Sequence, residues 1–168
     1  MKKILIWLLL FFSCAAYSQK KPLPTNCSDL QQKLAQIKKS FNNLQQFKKE
    51  LLPGSTYKYA TTITLCNETG ELELYEDGGG AVMIFKFTGQ KFTDNDGKLT
   101  AAFVAKFRKS VKAIFGNSYE ETYGKDEDEL WGAYEYYEYR PYSASYPFIR
   151  IDFPFADDLI WISFEYEK

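Results

Sequence analysis

The sequence feature that most constrains the fold is the stretch from Leu130 to Tyr166, where aromatic and β-branched residues alternate with polar ones. A period of two is typical of a β-strand with one buried face. Two alternating runs, separated by residues 156–158, carry these residues on their apolar sides: Ile149, Ile151, Phe153 and Phe155, then Ile160, Ile162, Phe164 and Tyr166. Two such runs around a short loop that contains aspartate predict a β-hairpin.

Two upstream segments carry apolar residues at the spacing of three and four that one face of an α-helix requires. The first runs from about Asp29 to Leu51, and its apolar residues are Leu30, Leu34, Ile37, Phe41, Leu44, Phe47 and Leu51. The second runs from Lys98 to Phe115, with Asp94 or Asp96 as its expected N-cap. These patterns predict two long helices, of which the first ends at Pro53-Gly54.

The remaining segments predict the other strands of one sheet. Alternating or apolar runs predict strands at 57–66, 71–75, 81–88, 119–123 and 131–140, with turns at 67–70 and at the acidic run 126–129. The element order is then α-βββ-α-β(β)ββ. We therefore predict a single α+β domain over residues 28–168, with an antiparallel sheet of about 6–7 strands and two long helices packed on one face.

The N-terminus predicts export. A basic start, an apolar run from Ile4 to Phe12 and small residues before Gln19 resemble a bacterial signal peptide over residues 1–18. The apolar run is shorter than the roughly 20 residues that a membrane-spanning helix needs. We expect a periplasmic or secreted protein with a flexible lead-in at 19–27. The alternative is an outer-envelope lipoprotein anchored by a lipid at Cys14.

The charge is nearly balanced overall but unevenly distributed. After removal of residues 1–18, 19 basic residues face 22 acidic ones, so the net charge of −3 argues against a general nucleic-acid binder. Residues 19–52 carry a net charge of +5, whereas residues 117–168 carry −9. This asymmetry is typical of solvated helix and sheet surfaces. Alternatively, it polarises the surface and orients a charged partner.

Two cysteines remain in the exported chain, Cys27 and Cys66. An even pair in an exported protein indicates a disulfide. A helix of roughly 34 Å followed by an antiparallel strand of about 33 Å would return Cys66 to the start of the helix beside Cys27. We therefore predict a structural Cys27–Cys66 disulfide.

No motif predicts catalysis, a cofactor or a metal ion. The chain contains no histidine, which removes the histidine-dependent nucleophile arrangements and histidine zinc ligation. The segment 94–99 lacks the end ligands of a calcium loop, and Gly78-Gly79-Gly80 lacks the helix and Lys-Ser/Thr pair of a phosphate loop. A carboxylate-based hydrolase that uses Glu71, Glu73 or Glu135 remains as an alternative, as does loose calcium binding at 126–129.

A cluster of tyrosines is the one unusual feature of the sequence that points towards a function. Six fall within thirteen residues: Tyr134, Tyr136, Tyr137, Tyr139, Tyr142 and Tyr146. Helices on one face of a sheet leave the other face in water, so some of these rings are expected to be exposed. We predict binding residues at Tyr134, Tyr136, Tyr137, Tyr139 and Trp161, for a protein partner or a cell-envelope glycan. The alternative is that cross-strand tyrosine pairs only stabilise the open sheet.

Overall fold

The computed structural model describes residues 27–76, 79–88, 98–129, 132–154 and 159–167. Four predictions lie outside these residues: the signal peptide with Cys14, the lead-in before Cys27, the helix cap at Asp94 or Asp96, and the hairpin loop at 156–158. The described residues form one helix, a 3-10 segment, a second helix and eight strands. Their bounds are α1 (Leu30–Ser40), the 3-10 segment (Phe41–Phe47), β1 (Lys48–Leu51), β2 (Lys58–Leu65), β3 (Glu68–Leu74), β4 (Gly80–Thr88), α2 (Lys98–Phe115), β5 (Tyr119–Asp128), β6 (Gly132–Pro141), β7 (Phe148–Pro154) and β8 (Leu159–Glu167).

The eight strands form one antiparallel sheet in the order β1-β2-β3-β4-β8-β7-β6-β5. The predicted α+β class, with an antiparallel sheet and two helices in a single domain, is therefore confirmed. The sheet has one strand more than the prediction allowed, because β1 occupies residues that the sequence assigned to the first helix. The last strand, β8, lies at the centre of the sheet between β4 and β7.

The predicted helix from Asp29 to Leu51 is wrong in its second half. α1 ends at Ser40, and the backbone at Asn43 leaves helical geometry with φ −143° and ψ 57°. The three buried residues of the 3-10 segment, Phe41, Leu44 and Phe47, lie three apart. A spacing of three matches a 3-10 helix as well as an α-helix, so the apolar stripe did not distinguish them.

Two of the predicted turns are also not found at the predicted residues. The β2–β3 hairpin turns at Cys66 and Asn67, whose φ angles are 50° and 69°, and not at residues 67–70. Gly70 belongs to β3, where a β-carbon would lie 2.8 Å from the ring of Phe85. The acidic run was predicted as a turn, but β5 continues through it to Asp128, paired with β6 throughout.

The core lies between the helices and one face of the sheet, which we call the helix face. The ring of Phe103 on α2 lies 5.2 Å from that of Phe87 on β4, and Phe41 lies 5.5 Å from Tyr166 on β8. The buried residues Leu34 and Ile37 of α1 belong to the same core cluster. Both helices therefore cover this face, where Met83, Phe85, Ile162 and Phe164 are fully buried. We call the other side of the sheet the open face.

Cys27 and Cys66 form a disulfide with their Cα atoms 4.8 Å apart. The predicted pairing is present, although the chain does not reach it by one long helix. Both cysteines are 3% exposed and belong to the core. The bond joins the start of α1 to the β2–β3 turn, so it ties the N-terminal helix to the sheet.

Candidate functional site

The strand register separates the predicted binding residues into two groups. Tyr136 on β6 lies opposite Asp152 on β7, which in turn lies opposite Trp161 on β8. Tyr134, two positions along β6, shares this face. Each of these three aromatic side chains is half-buried and lies on the open face. Three of the five predicted residues are therefore close together.

The other two predicted residues lie on the helix face. Tyr139 is 3% exposed, and its hydroxyl donates a hydrogen bond of 2.9 Å to Glu121. Tyr137 stacks on Phe153 at 5.9 Å, and the guanidinium of Arg108 on α2 lies 3.9 Å from its ring. These tyrosines join the helix layer to the sheet, so they do not contribute to a site on the open face.

Arg150 lies at the centre of the open-face group. Its Nε donates a hydrogen bond of 2.8 Å to Asp152, and its guanidinium lies 4.1 Å from the ring of Tyr136. The Tyr134 hydroxyl accepts a longer bond of 3.5 Å from Nη2, and Glu138 Oε2 lies 3.6 Å from Nη1. One arginine therefore fixes two aromatic rings and two carboxylates from strands β6 and β7.

The carboxylates of this group occupy different electrostatic environments. Burial raises the pKa of Asp152, and the hydrogen bond from Arg150 opposes that shift only in part. Glu138 is 6% exposed, and its carboxylate pairs with Arg140 at 2.5 Å as well as with Arg150. A buried carboxylate requires such partners, because an unpaired buried charge is costly. Each of the two carboxylates therefore has a guanidinium partner, which neutralises part of its negative charge.

Gly124 on β5 lies opposite Tyr136 and sets the position of its ring. A β-carbon at Gly124 would collide with Cζ and the hydroxyl of Tyr136 and would lie 2.8 Å from Cε1. The ring therefore occupies the space that a side chain would take, while Arg150 stacks at 4.1 Å. Glycine is required here for close approach rather than for an unusual backbone angle.

Trp161 extends the group towards the centre of the sheet. The Lys86 ammonium on β4 lies 5.3 Å from the Trp161 ring and 2.8 Å from the carboxylate of Glu71. A cation at this distance from an indole ring is attracted by the electron density of its face. Aromatic and charged side chains therefore continue from β6 to β3 across the open face.

The three carboxylates considered for a hydrolase are each ion-paired. Glu71 pairs with Lys86 at 2.8 Å and Glu73 with Lys58 at 3.1 Å, both on the open face. Glu135 pairs with Lys125 at 2.7 Å, and the register places it on the helix face. Glu135 is therefore separated from the other two by the sheet itself.

The most exposed large apolar side chains among the described residues lie outside the open-face group. Tyr142 is 72% exposed, Tyr123 49%, Leu51 46% and Tyr57 40%. The rings of Tyr134, Tyr136 and Trp161 are instead held half-buried by cations and by neighbouring strands. The open face is thus a surface of half-buried rings and paired charges rather than a patch of projecting side chains.

Comparisons with known protein families, with curated proteins and with solved structures find no match to this chain. Within the described residues, no helix is long and apolar enough to cross a membrane. The same residues contain no group of three or more cysteine, aspartate or glutamate side chains arranged to hold a metal ion. The site is therefore defined by its own geometry alone.

Proposed function

We propose that this protein is a non-enzymatic interaction module that holds a protein partner against the open face of its sheet. Tyr134, Tyr136, Arg150 and Trp161 form the centre of the contact surface. The observation that carries this proposal is the sidedness of the sheet, because both helices cover one face whereas Tyr134, Tyr136 and Trp161, with the ion pairs of Arg150, lie on the other. Tyrosine, tryptophan and arginine are the residues most enriched among those that dominate binding energy at interfaces.

The open face has the size that a stable interface requires. Eight strands have seven spacings of about 4.8 Å, so the sheet is about 34 Å wide. The strands are eight residues long on average, or about 26 Å at about 3.3 Å per residue. The resulting area of about 880 Å² is comparable with the roughly 800 Å² that each partner buries in a standard interface.

The charge of the open face favours a partner with a basic surface. The register places eight acidic and four basic described residues there: Glu71, Glu73, Glu120, Asp126, Glu138, Asp152, Glu165 and Glu167, with Lys58, Lys86, Arg140 and Arg150. The net charge of these side chains is −4. Complementary charge increases association rates and selects among partners.

We place the protein outside the cytoplasm, in the periplasm or in the medium. The Cys27–Cys66 disulfide supports this location because such bonds persist in oxidising compartments. An exported interaction module of this kind suits an inhibitory, immunity or assembly role.

The experiment is affinity capture of the tagged protein after brief cross-linking, followed by mass spectrometry. We expect one stoichiometric protein with a basic contact surface, whose capture weakens with added salt. The double variant Tyr136→Ala/Trp161→Ala should lose this capture and keep the circular dichroism spectrum of the native fold. The matched control is Tyr123→Ala/Tyr142→Ala, which removes two exposed tyrosines on the helix side of the sheet and should capture normally.

Two results would count against the proposal. Equal capture by both double variants would exclude the open face as the contact surface. Retention on peptidoglycan or polysaccharide resin, without a captured protein and lost in Tyr136→Ala/Trp161→Ala, would instead indicate that the same rings bind a glycan.

A further inference from the structure

A second candidate site lies on the helix side of the sheet. The last turns of α2, the start of β5, the end of β6 and the loop after β6 enclose a pocket of about 310 Å³. Its polar lining consists of Arg108, Lys112, Asn117, Glu121, Tyr139 and Tyr142. Pockets that bind small ligands start at about 300 Å³. This volume therefore suits one small ring.

Glu121 is held in a fixed and ionised state within this pocket. Its Oε1 accepts a hydrogen bond of 2.7 Å from Arg108 Nε and one of 2.9 Å from the Tyr139 hydroxyl. The bond from Arg108 is the main cause that holds the pKa of Glu121 below its usual value. Because both bonds use the same oxygen, Oε2 accepts no side-chain hydrogen bond from the described residues and is available to a hydroxyl donor of a ligand.

Hydrogen-bond donors line the same pocket as the Glu121 carboxylate. Lys112 lies one helical turn after Arg108 and lines the same pocket, and its charge also lowers the pKa of Glu121. Within the described part of the chain, Lys112 forms no ion pair within 4.0 Å. Asn117 adds a side-chain amide, which both donates and accepts. The pocket therefore offers both kinds of hydrogen-bonding group.

An exposed aromatic ring forms the rim. Tyr142 is 72% exposed, although its backbone N–H donates a hydrogen bond of 3.0 Å to the carbonyl oxygen of Ser118. The backbone is thus anchored at the position from which the ring projects. Only the two side-chain torsions of Tyr142 would then be ordered when a ligand stacks on its ring, which keeps the entropy cost small.

We propose that this pocket binds a single pyranose ring of a glycan. Sugar hydroxyls would donate to Glu121 and accept from Lys112 and Asn117, and the C–H face of the ring would stack on Tyr142. A purely apolar ligand would leave these polar groups unpaired, which is costly. A phosphate group presents acceptor oxygens to the ionised carboxylate of Glu121, whereas every pyranose, a uronic acid included, carries hydroxyl donors for it. This site is separate from the protein-binding open face, since the sheet lies between them.

The test is saturation-transfer NMR on the purified protein with three probes, the methyl glycosides of glucose, N-acetylglucosamine and glucuronic acid. We use about 5 mM of each, a concentration that detects millimolar affinity. At least one glycoside should receive saturation at its ring protons. Tyr142→Ala should weaken its binding about tenfold, whereas Tyr142→Phe should bind normally because the ring remains. Tyr57→Ala is the control for an exposed tyrosine elsewhere.

Lys112→Ala separates the ligand classes, because loss of the ammonium should affect the glucuronide more than the uncharged glycosides. Tyr142 and Lys112 are exposed, so these variants should keep the native circular dichroism spectrum. Absence of saturation transfer to all three glycosides would overturn the inference, as would binding that is unchanged in Tyr142→Ala. Neither result would bear on the protein partner of the open face, which is captured in a different experiment.

Discussion

Reduction of the Cys27–Cys66 disulfide should remove a large part of the free energy of unfolding. The two cysteines are 39 positions apart. The chain-entropy relation for a closed loop of that length gives roughly 13 cal/mol/K, or about 4 kcal/mol at 25 °C. Domains of this size are stable by only about 5–15 kcal/mol. Loss of the cross-link should therefore leave about 1–11 kcal/mol, so the reduced protein stays folded with a smaller free energy of unfolding.

Urea denaturation with and without reductant measures this loss directly. Reduction converts the cystine to two cysteine thiols and leaves every other side chain unchanged, so the difference reports the loss of the cross-link. With a slope of about 2 kcal/mol per molar urea, the midpoint should fall by about 2 M. A second comparison uses the positive φ of 50° at Cys66. Cys27→Ala/Cys66→Gly should be more stable than Cys27→Ala/Cys66→Ala, because glycine adopts this angle without strain.

Two results would refute this reasoning. A midpoint that falls by less than about 0.5 M would mean that the loop is already constrained in the unfolded chain or that the bond strains the fold. Two free thiols in the denatured, unreduced protein would mean that the bond does not form.

The remaining predictions concern the open face. Gly124→Ala should destabilise the fold by about 1–3 kcal/mol in urea denaturation, because its β-carbon collides with Tyr136; Thr122→Ala is the control, and an unchanged midpoint in Gly124→Ala would contradict the packing described. Burial raises the pKa of Asp152 in the folded state, so ionisation of this side chain costs stability above that pKa. Asp152→Asn should therefore be more stable than the native protein at pH 7, and the difference should vanish as the pH falls to about 3–4, near the unfolded value. A gain that is equal at both pH values would show that charge is not the cause.

The sequence predicted the elements whose periodicity was long and regular. α2 begins at Lys98 and ends at Phe115, as predicted, and β8 follows its alternation from Ile160 to Tyr166. In both elements the apolar face is buried where its side chains are described, from Phe103 to Phe115 except for the partly buried Ile114, and from Ile160 to Phe164, so the apolar period and the structure coincide. The fold class followed from the order of these elements.

The predictions missed the elements whose structure depends on tertiary contacts. All four residues of β1 are exposed, so Lys48–Leu51 show no alternation, and their strand conformation comes from pairing with β2. The second half of β5 is rich in acidic residues, which have low β-propensity. These residues are tolerated there because β5 is an edge strand, where charged side chains stay in water.

The candidate site was predicted in part. Alternation placed Tyr134 and Tyr136 on one face of β6 and Tyr137 and Tyr139 on the other, and the register confirms that division. The alternation in β6 does not show which of its two faces the helices cover, because that depends on packing between elements that are distant in the sequence. Arg150 was missed because an arginine in an alternating strand resembles any solvent-facing residue. Its role follows from the register with Glu138 on the neighbouring strand.

The central position of β8 has a consequence for the order in which the chain can fold. β4 and β8 pair along their whole length, from Gly80 with Glu167 to Thr88 with Leu159, so each pair joins residues about 70–90 positions apart. Strands β1–β4 and β5–β7 lie on opposite sides of β8 and share no other strand. A nascent chain cannot close this sheet until β8 has been synthesised. Because this one long-range pairing must wait for the last strand, the two halves of the sheet stay apart, and accessible to chaperones, until β8 is available.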